Sequence, residues 1–165
     1  MNKITKIEIA TGGCFGPCHY TATSIDSTLA YNFYGGKVPF LSPAEDTLQH
    51  GFYQGRINRN FWDTLNVKLE NIHYQQLDSL YQHTVDDQTL EVIIYHKGKM
   101  KHIWAQSASF PDTVANVLYW IANSYKSVKL IQIKDSITFN TKEQYGYPAP
   151  INVKDIKFPP PKRNQ

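Results

Sequence analysis

Cys14 and Cys18 are the only thiols in the chain, and they sit in one stretch, GGCFGPCHY, that continues into His19 and Tyr20. Their spacing differs from the Cys-x-x-Cys of thioredoxin-like redox sites and ordinary zinc knuckles. A disulfide between them requires the segment to turn sharply enough to bring the two α-carbons within about 7 Å. Such a bond closes a very small ring, so it constrains the unfolded chain less than a long-range bridge would. Three readings stay open: a tight structural turn or disulfide, a thiol redox site, and a metal corner. The last would have to combine Cys14, Cys18 and His19 with one of His50, His73, His83, His96 or His102, and no second pair with ligand spacing occurs. If His19 lies on a strand, it and Cys18 point to opposite faces, which weighs against a shared site.

Other chemistry is sparse. Asp86-Asp87 is an adjacent carboxylate pair ahead of an apolar run. Sequence neighbours at a strand entry point apart, so a cap or turn suits them better than acid–base work, which needs two groups converging on a pocket. His96 and His102 flank Lys97-Gly98-Lys99, a turn across which they could face each other. The chain has no Gly-x-Ser-x-Gly elbow, phosphate-cradling loop or His-Glu-x-x-His pair. No cofactor is implied by any of these patterns.

The 165 residues are enough for one domain with one core. A hydrophobic content of 41% against 19% charged residues supplies the apolar surface that folding requires. The net charge of +3 is only mildly basic, short of the concentrated footprint of a nucleic-acid binder, so no nucleic-acid partner is expected. No apolar run approaches the roughly 20 residues that span a bilayer. If Met1 is the natural start, the lack of an apolar leader implies a cytoplasmic protein with reduced thiols; an upstream start would open extracytoplasmic placement.

The elements that must position the cysteine stretch follow from periodicity. Ile7 and Ile9 alternate with Lys6, Glu8 and Ala10, predicting a half-buried strand over 6–11. Strands over 19–25 and 28–34 join at Asp26-Ser27, with Leu29, Tyr31 and Phe33 on one face, and a loop over 35–49 leads to a strand over 52–57. Asn60 is placed to cap a helix, Asp63 to sit near its positive end, and Phe61, Leu65, Leu69 and Ile72 to form its stripe. Residues 73–83, with Leu77, Leu80 and Tyr81, read as a second short helical segment. Strands over 90–95 and 100–106 flank the Lys97-Gly98-Lys99 turn. Ser109, Pro111 and Asp112 signal another helix start, with Val114, Val117, Leu118, Ile121 and Tyr125 on its buried face. A last strand over 128–133 precedes a polar, proline-rich end. The order predicts an α+β domain over 1–139, a largely antiparallel sheet with two main helices on one face, and a C-terminal extension over 140–165.

Ile7-Glu8-Ile9 followed by Cys14-Phe15-Gly16-Pro17-Cys18-His19-Tyr20 resembles the opening of the domain of unknown function family 6438, whose signature is Cys-Phe-Gly-x-Cys-Pro-x-Tyr. Here His19-Tyr20 follow Cys18 without the family's proline and with one residue fewer before the tyrosine. The Phe61-Trp62 helix, the Asp86-Asp87 entry to a hairpin and the helix over 114–121 fall in the family's order, so the resemblance extends over 6–133. It implies a coherent α+β fold, no assigned activity, and an exported location for many members.

The leading expectation is a non-catalytic domain that binds a protein partner or small ligand through Cys14, Phe15, Gly16, Cys18, His19 and Tyr20. The alternatives are a thiol-based redox protein or sensor using Cys14 and Cys18, and an inhibitory or immunity-type partner protein.

Overall fold

A computed structural model describes residues 4–38, 42 and 50–146. One sheet runs through it, built from β1 (Ile4–Thr11), β2 (Thr21–Asp26), β3 (Ala30–Gly35), β4 (Gly51–Arg56), β5 (Leu80–Tyr81), β6 (Thr89–His96), β7 (Lys99–Gln106) and β8 (Leu130–Ile133). Its order is β5-β7-β6-β1-β2-β3-β4-β8. Every pairing is antiparallel except that of the two-residue β5 with β7. The β6–β7 hairpin turns through Lys97 (φ 47°) and Gly98 (φ 73°), the positive-φ pair that matches the twist of the flanking strands.

Helices α1 (Arg59–Asn71) and α2 (Asp112–Ala122) cover one face of this sheet. Leu65, Leu69 and Trp62 from α1, and Val114, Leu118 and Ile121 from α2, pack with Ile7, Ile9, Ile25, Tyr31, Phe33 and Val92. The fold class is thus α+β, as the periodicity predicts. Asn58, not Asn60, caps α1: its extended backbone leaves the side-chain oxygen free to accept the Phe61 N–H at 2.8 Å. Trp62, absent from the expected stripe, is buried on this helix, while Phe61 and Ile72 pack at its margin. At α2 the capping box does not form. Pro111 occupies the cap position, and the Ser109 hydroxyl instead accepts the N–H groups of His83 and Thr84 at 2.8 and 3.0 Å. Tyr125 lies beyond α2, in the short turn Ser124–Lys126, and stacks on Phe33 at 4.3 Å.

Residues 73–83 are not a helical segment. His73 adopts a left-handed conformation (φ 51°) and Leu77 is extended, so only the turn Tyr74–Gln76 forms before the chain enters β5. His96 and His102 do not face each other. Antiparallel register pairs His96 with Lys99 and His102 with Ile93, and His102 turns to the Glu91 carboxylate at 2.8 Å.

The other face of the sheet is also covered over its central strands β1, β2 and β6, which overturns the half-buried reading of β1. Phe139, 1% exposed, packs on Ala10 and Ala22, with Ile137, Tyr34 and Phe52 around it. The chain then crosses β1 and β6. The Glu8 carboxylate, 0% exposed, accepts the Asn140 and Thr141 N–H groups at 2.6 and 3.3 Å. Glu91 accepts those of Lys142 and Glu143, the latter at 3.1 Å. Two buried carboxylates therefore anchor the backbone of the last described segment, supplying the partners that buried N–H groups require. The proline-rich run expected near the C-terminus, and most of the loop expected over 35–49, lie outside the described residues.

Candidate functional site

The link from β1 to β2 carries the cysteine stretch, and its ends are fixed by the sheet around it. Gly12 donates to the Thr89 carbonyl at 2.9 Å, and the Thr89 N–H donates to Gly13 at 3.1 Å, extending the β1–β6 ladder past the strand end. Gly12 has to lack a side chain: a Cβ there would overlap the Thr89 hydroxyl and lie 2.6 Å from Oε2 of Glu143. On the returning side the His19 carbonyl accepts the Thr11 hydroxyl at 2.8 Å and Nε2 of Gln88 at 3.0 Å. Gln88 in turn accepts the Tyr119 hydroxyl at 3.1 Å, so α2 is tied to the base of the loop. Burial pushes the Tyr119 phenol upward, a shift that the hydrogen bond from Ser107 offsets in part, and Asp87 adds to it.

Between these anchors the chain makes two consecutive three-residue turns. Gly16 donates to the Cys14 carbonyl at 2.9 Å and Cys18 to the Gly16 carbonyl at 3.0 Å. They bring the α-carbons of Cys14 and Cys18 to 5.7 Å, and the two sulfurs are bonded. The geometric requirement stated for a bridge is met, and neither cysteine is a free thiol. Phe15 projects from the top of this ring with 89% of its surface exposed, and its N–H donates to the Asp86 carbonyl at 3.1 Å.

Residues of the loop line two cavities. One, of about 390 Å³, is lined by Cys14, Phe15, Tyr20, Asp86, Asp87 and Glu143, among others. A smaller one, of about 200 Å³, is lined by Pro17, Cys18, His19, Gln88, Tyr119 and Lys126, among others. The six expected residues are thus divided: Cys14, Phe15 and Tyr20 border the larger space, Cys18 and His19 the smaller, and Gly16 lies at the tip. His19 precedes β2 instead of belonging to it, so the condition for its pointing away from Cys18 is not met, and the two line the same cavity. No group of three or more His, Cys, Asp or Glu side chains among the described residues could hold a metal ion.

The carboxylates of the larger cavity are partly committed. Asp87 accepts the Ala108 N–H at 2.9 Å and the Thr84 hydroxyl, the turn role its position suggested. Glu143 accepts the indole N–H of Trp104 at 2.7 Å and the Thr89 hydroxyl. Asp86, held at φ 67°, is exposed. Glu143 and Gln106 were not flagged by sequence reasoning, because their place at the loop depends on the C-terminal crossing and on sheet order. Gln88 gave no signal either, since a single glutamine before a strand resembles any solvated residue.

A single α+β domain with a disulfide-closed loop joining two central strands of its sheet is the class these features define. The model of the domain of unknown function family DUF6438 matches residues 5–125, and the chain belongs to that family. The match ends at Tyr125, ahead of β8 and of the segment that covers the second sheet face. A comparison with curated proteins found no match. No helix among the described residues is long and apolar enough to cross a membrane.

Proposed function

We propose that this domain is a non-catalytic binding module whose contact element is the loop of residues 14–18, with Phe15 as its anchor. The observation that carries this reading is the exposure of Phe15, 89%, on a covalently closed ring beside an open cavity of about 390 Å³. A phenylalanine left in water forgoes about 1.5–3 kcal/mol that burial against a partner would recover. The ring also restricts the loop before any encounter, which lowers the ordering cost of association. Val85, 78% exposed, is the neighbour of Asp86, whose carbonyl accepts the Phe15 N–H, and adds a second exposed apolar side chain in the segments that meet there. Tyr20 and the exposed Asp86 carboxylate supply the polar margin that directs a contact.

The reading is tested by placing a photoreactive phenylalanine analogue at position 15 and, as a control, at the exposed Met100. Irradiation in the source cell is expected to give discrete higher-mass adducts from position 15 and none from position 100. Adducts at neither position, or the same adducts at both, would overturn it.

A further inference from the structure

We propose that the Cys14–Cys18 bridge is a redox-sensitive clasp: its reduction releases residues 14–18 and reshapes both cavities while the sheet stays folded. This rests in part on the binding reading above, since the loop it would release is the contact element.

Three features of the structure lead there. First, the bridge joins residues of two cavities, with Cys14 lining one and Cys18 the other. Any change in the loop is felt in both. Second, the clasp and its supports are separable. Gly12, Gly13 and His19 are tied to Thr89, Thr11 and Gln88 by backbone and side-chain hydrogen bonds that do not involve the sulfurs. Within 14–18, among the described residues, one hydrogen bond reaches the rest of the chain, from the Phe15 N–H to Asp86. The other two are internal to the ring. Loss of the bridge therefore removes most of what fixes these residues and little of what fixes the strands. Third, both cysteines are partly exposed, so a small or protein dithiol can reach them.

The chemistry balances with a dithiol as the co-reactant. One of its thiolates attacks a bridge sulfur, the Cys14–Cys18 bond breaks, and a mixed disulfide forms with the departing cysteine as thiolate. The second thiol of the reductant then displaces the attached cysteine. Two electrons and two protons end on Cys14 and Cys18, and the reductant leaves as its own disulfide. Oxidation by a disulfide of the same class reverses the sequence.

Chymotrypsin, which cuts after exposed aromatic residues, reads the outcome on the full chain. In the oxidised form the small ring cannot extend into a protease cleft, whereas a released loop can. Treatment with dithiothreitol in native buffer is expected to raise cleavage after Phe15 about tenfold or more, with Tyr31 and Phe33 in β3 still protected. Exchanging the reductant for a disulfide oxidant, oxidised glutathione, which takes up the two electrons and two protons and leaves as two thiols, should restore resistance. The double variant Cys14→Ser/Cys18→Ser is expected to be cut at the rate of the reduced form with or without reductant; should it fail to fold, the wild-type comparison decides alone. Equal cleavage in both redox states, reduction only in denaturant, or cuts spreading into the strands would each overturn the clasp. Photo-adducts at position 15 are compared in the two states as a second measurement. Adducts that fall at least severalfold on reduction support gating, and adducts equal in both states overturn it. Their absence in both states counts against the binding reading, and proteolysis then decides the clasp independently.

Discussion

The indole N–H of Trp104 on β7 donates to Oε1 of Glu143 at 2.7 Å, joining the C-terminal crossing segment to a strand 39 positions earlier in the sequence. The same carboxylate accepts the Thr89 hydroxyl at the start of β6. One side chain thereby fastens the segment to both strands of the hairpin, at the wall of the larger cavity.

Glu143→Ala should therefore loosen this corner. It strands the Trp104 N–H and the Thr89 hydroxyl in a partly buried place, at a cost of about 1–3 kcal/mol. A lowered denaturant midpoint with a red-shifted tryptophan emission is the expected result. An unchanged midpoint and spectrum would show that water replaces the carboxylate without loss.

Glycines in the loop should differ sharply in tolerance. Gly12→Ala drives a methyl into the Thr89–Glu143 contact and should destabilise by about 1–3 kcal/mol. Gly16→Ala meets nothing closer than the Cys14 sulfur at 3.7 Å and should leave the melting temperature nearly unchanged. Equal effects at the two sites would contradict the packing described for Gly12.

Alkaline pH should destabilise the domain in a defined window. Burial pushes the Tyr31 phenol from its ordinary 10.0 to about 12, with the Ser124 hydrogen bond opposing the shift. Above pH 10 the unfolded chain loses this proton while the folded chain keeps it, so stability is intact below pH 10 and falls as pH rises toward 12. The full loss from this group is about 2–3 kcal/mol. Tyr34, Tyr74, Tyr119 and Tyr125, raised mainly by burial as well, act in the same direction. Denaturant titrations at pH 9 and 11 should show the fall, and Tyr31→Phe should make it shallower. An equally steep fall in the variant would remove Tyr31 from the account.

The two asparagines before α1 should be distinguishable. Asn58→Ala removes the oxygen that accepts the Phe61 N–H and should cost about 1 kcal/mol. Asn60→Ala, inside the first helical turn, should be neutral or slightly stabilising. Thermal melts of both variants check the assignment.

Much of the fold was legible because it rests on local rules. Alternation in β1 and β3, the β-rich composition of β2, the positive-φ turn at Lys97-Gly98, and the apolar spacing of both helices all depend on residues within a few positions of each other. The errors fell where two local signals competed. Sequence pattern places the cap at Asn60; Asn58 carries the same side chain two residues earlier, and its extended backbone makes it the cap. Leu77, Leu80 and Tyr81 look helical by composition, yet a left-handed His73 stops the helix and sheet pairing with β7 captures Leu80-Tyr81.

Gly12, Gly13, Gly16 and Pro17, residues suited to a tight turn, stand between two strands legible from local pattern and carry two cysteines at a spacing that a bridge can close. What that turn faces is set by long-range packing. Glu8, read from its alternation as a solvent-side residue, is fully buried, because Phe139 and the backbone of Asn140 and Thr141 cover its face of the sheet. The larger cavity is likewise assembled from β1–β2, β6–β7 and Glu143, segments more than a hundred residues apart at the extremes. A period-two pattern reports which side of a strand a residue takes; whether that side meets water depends on distant chain that no local pattern encodes.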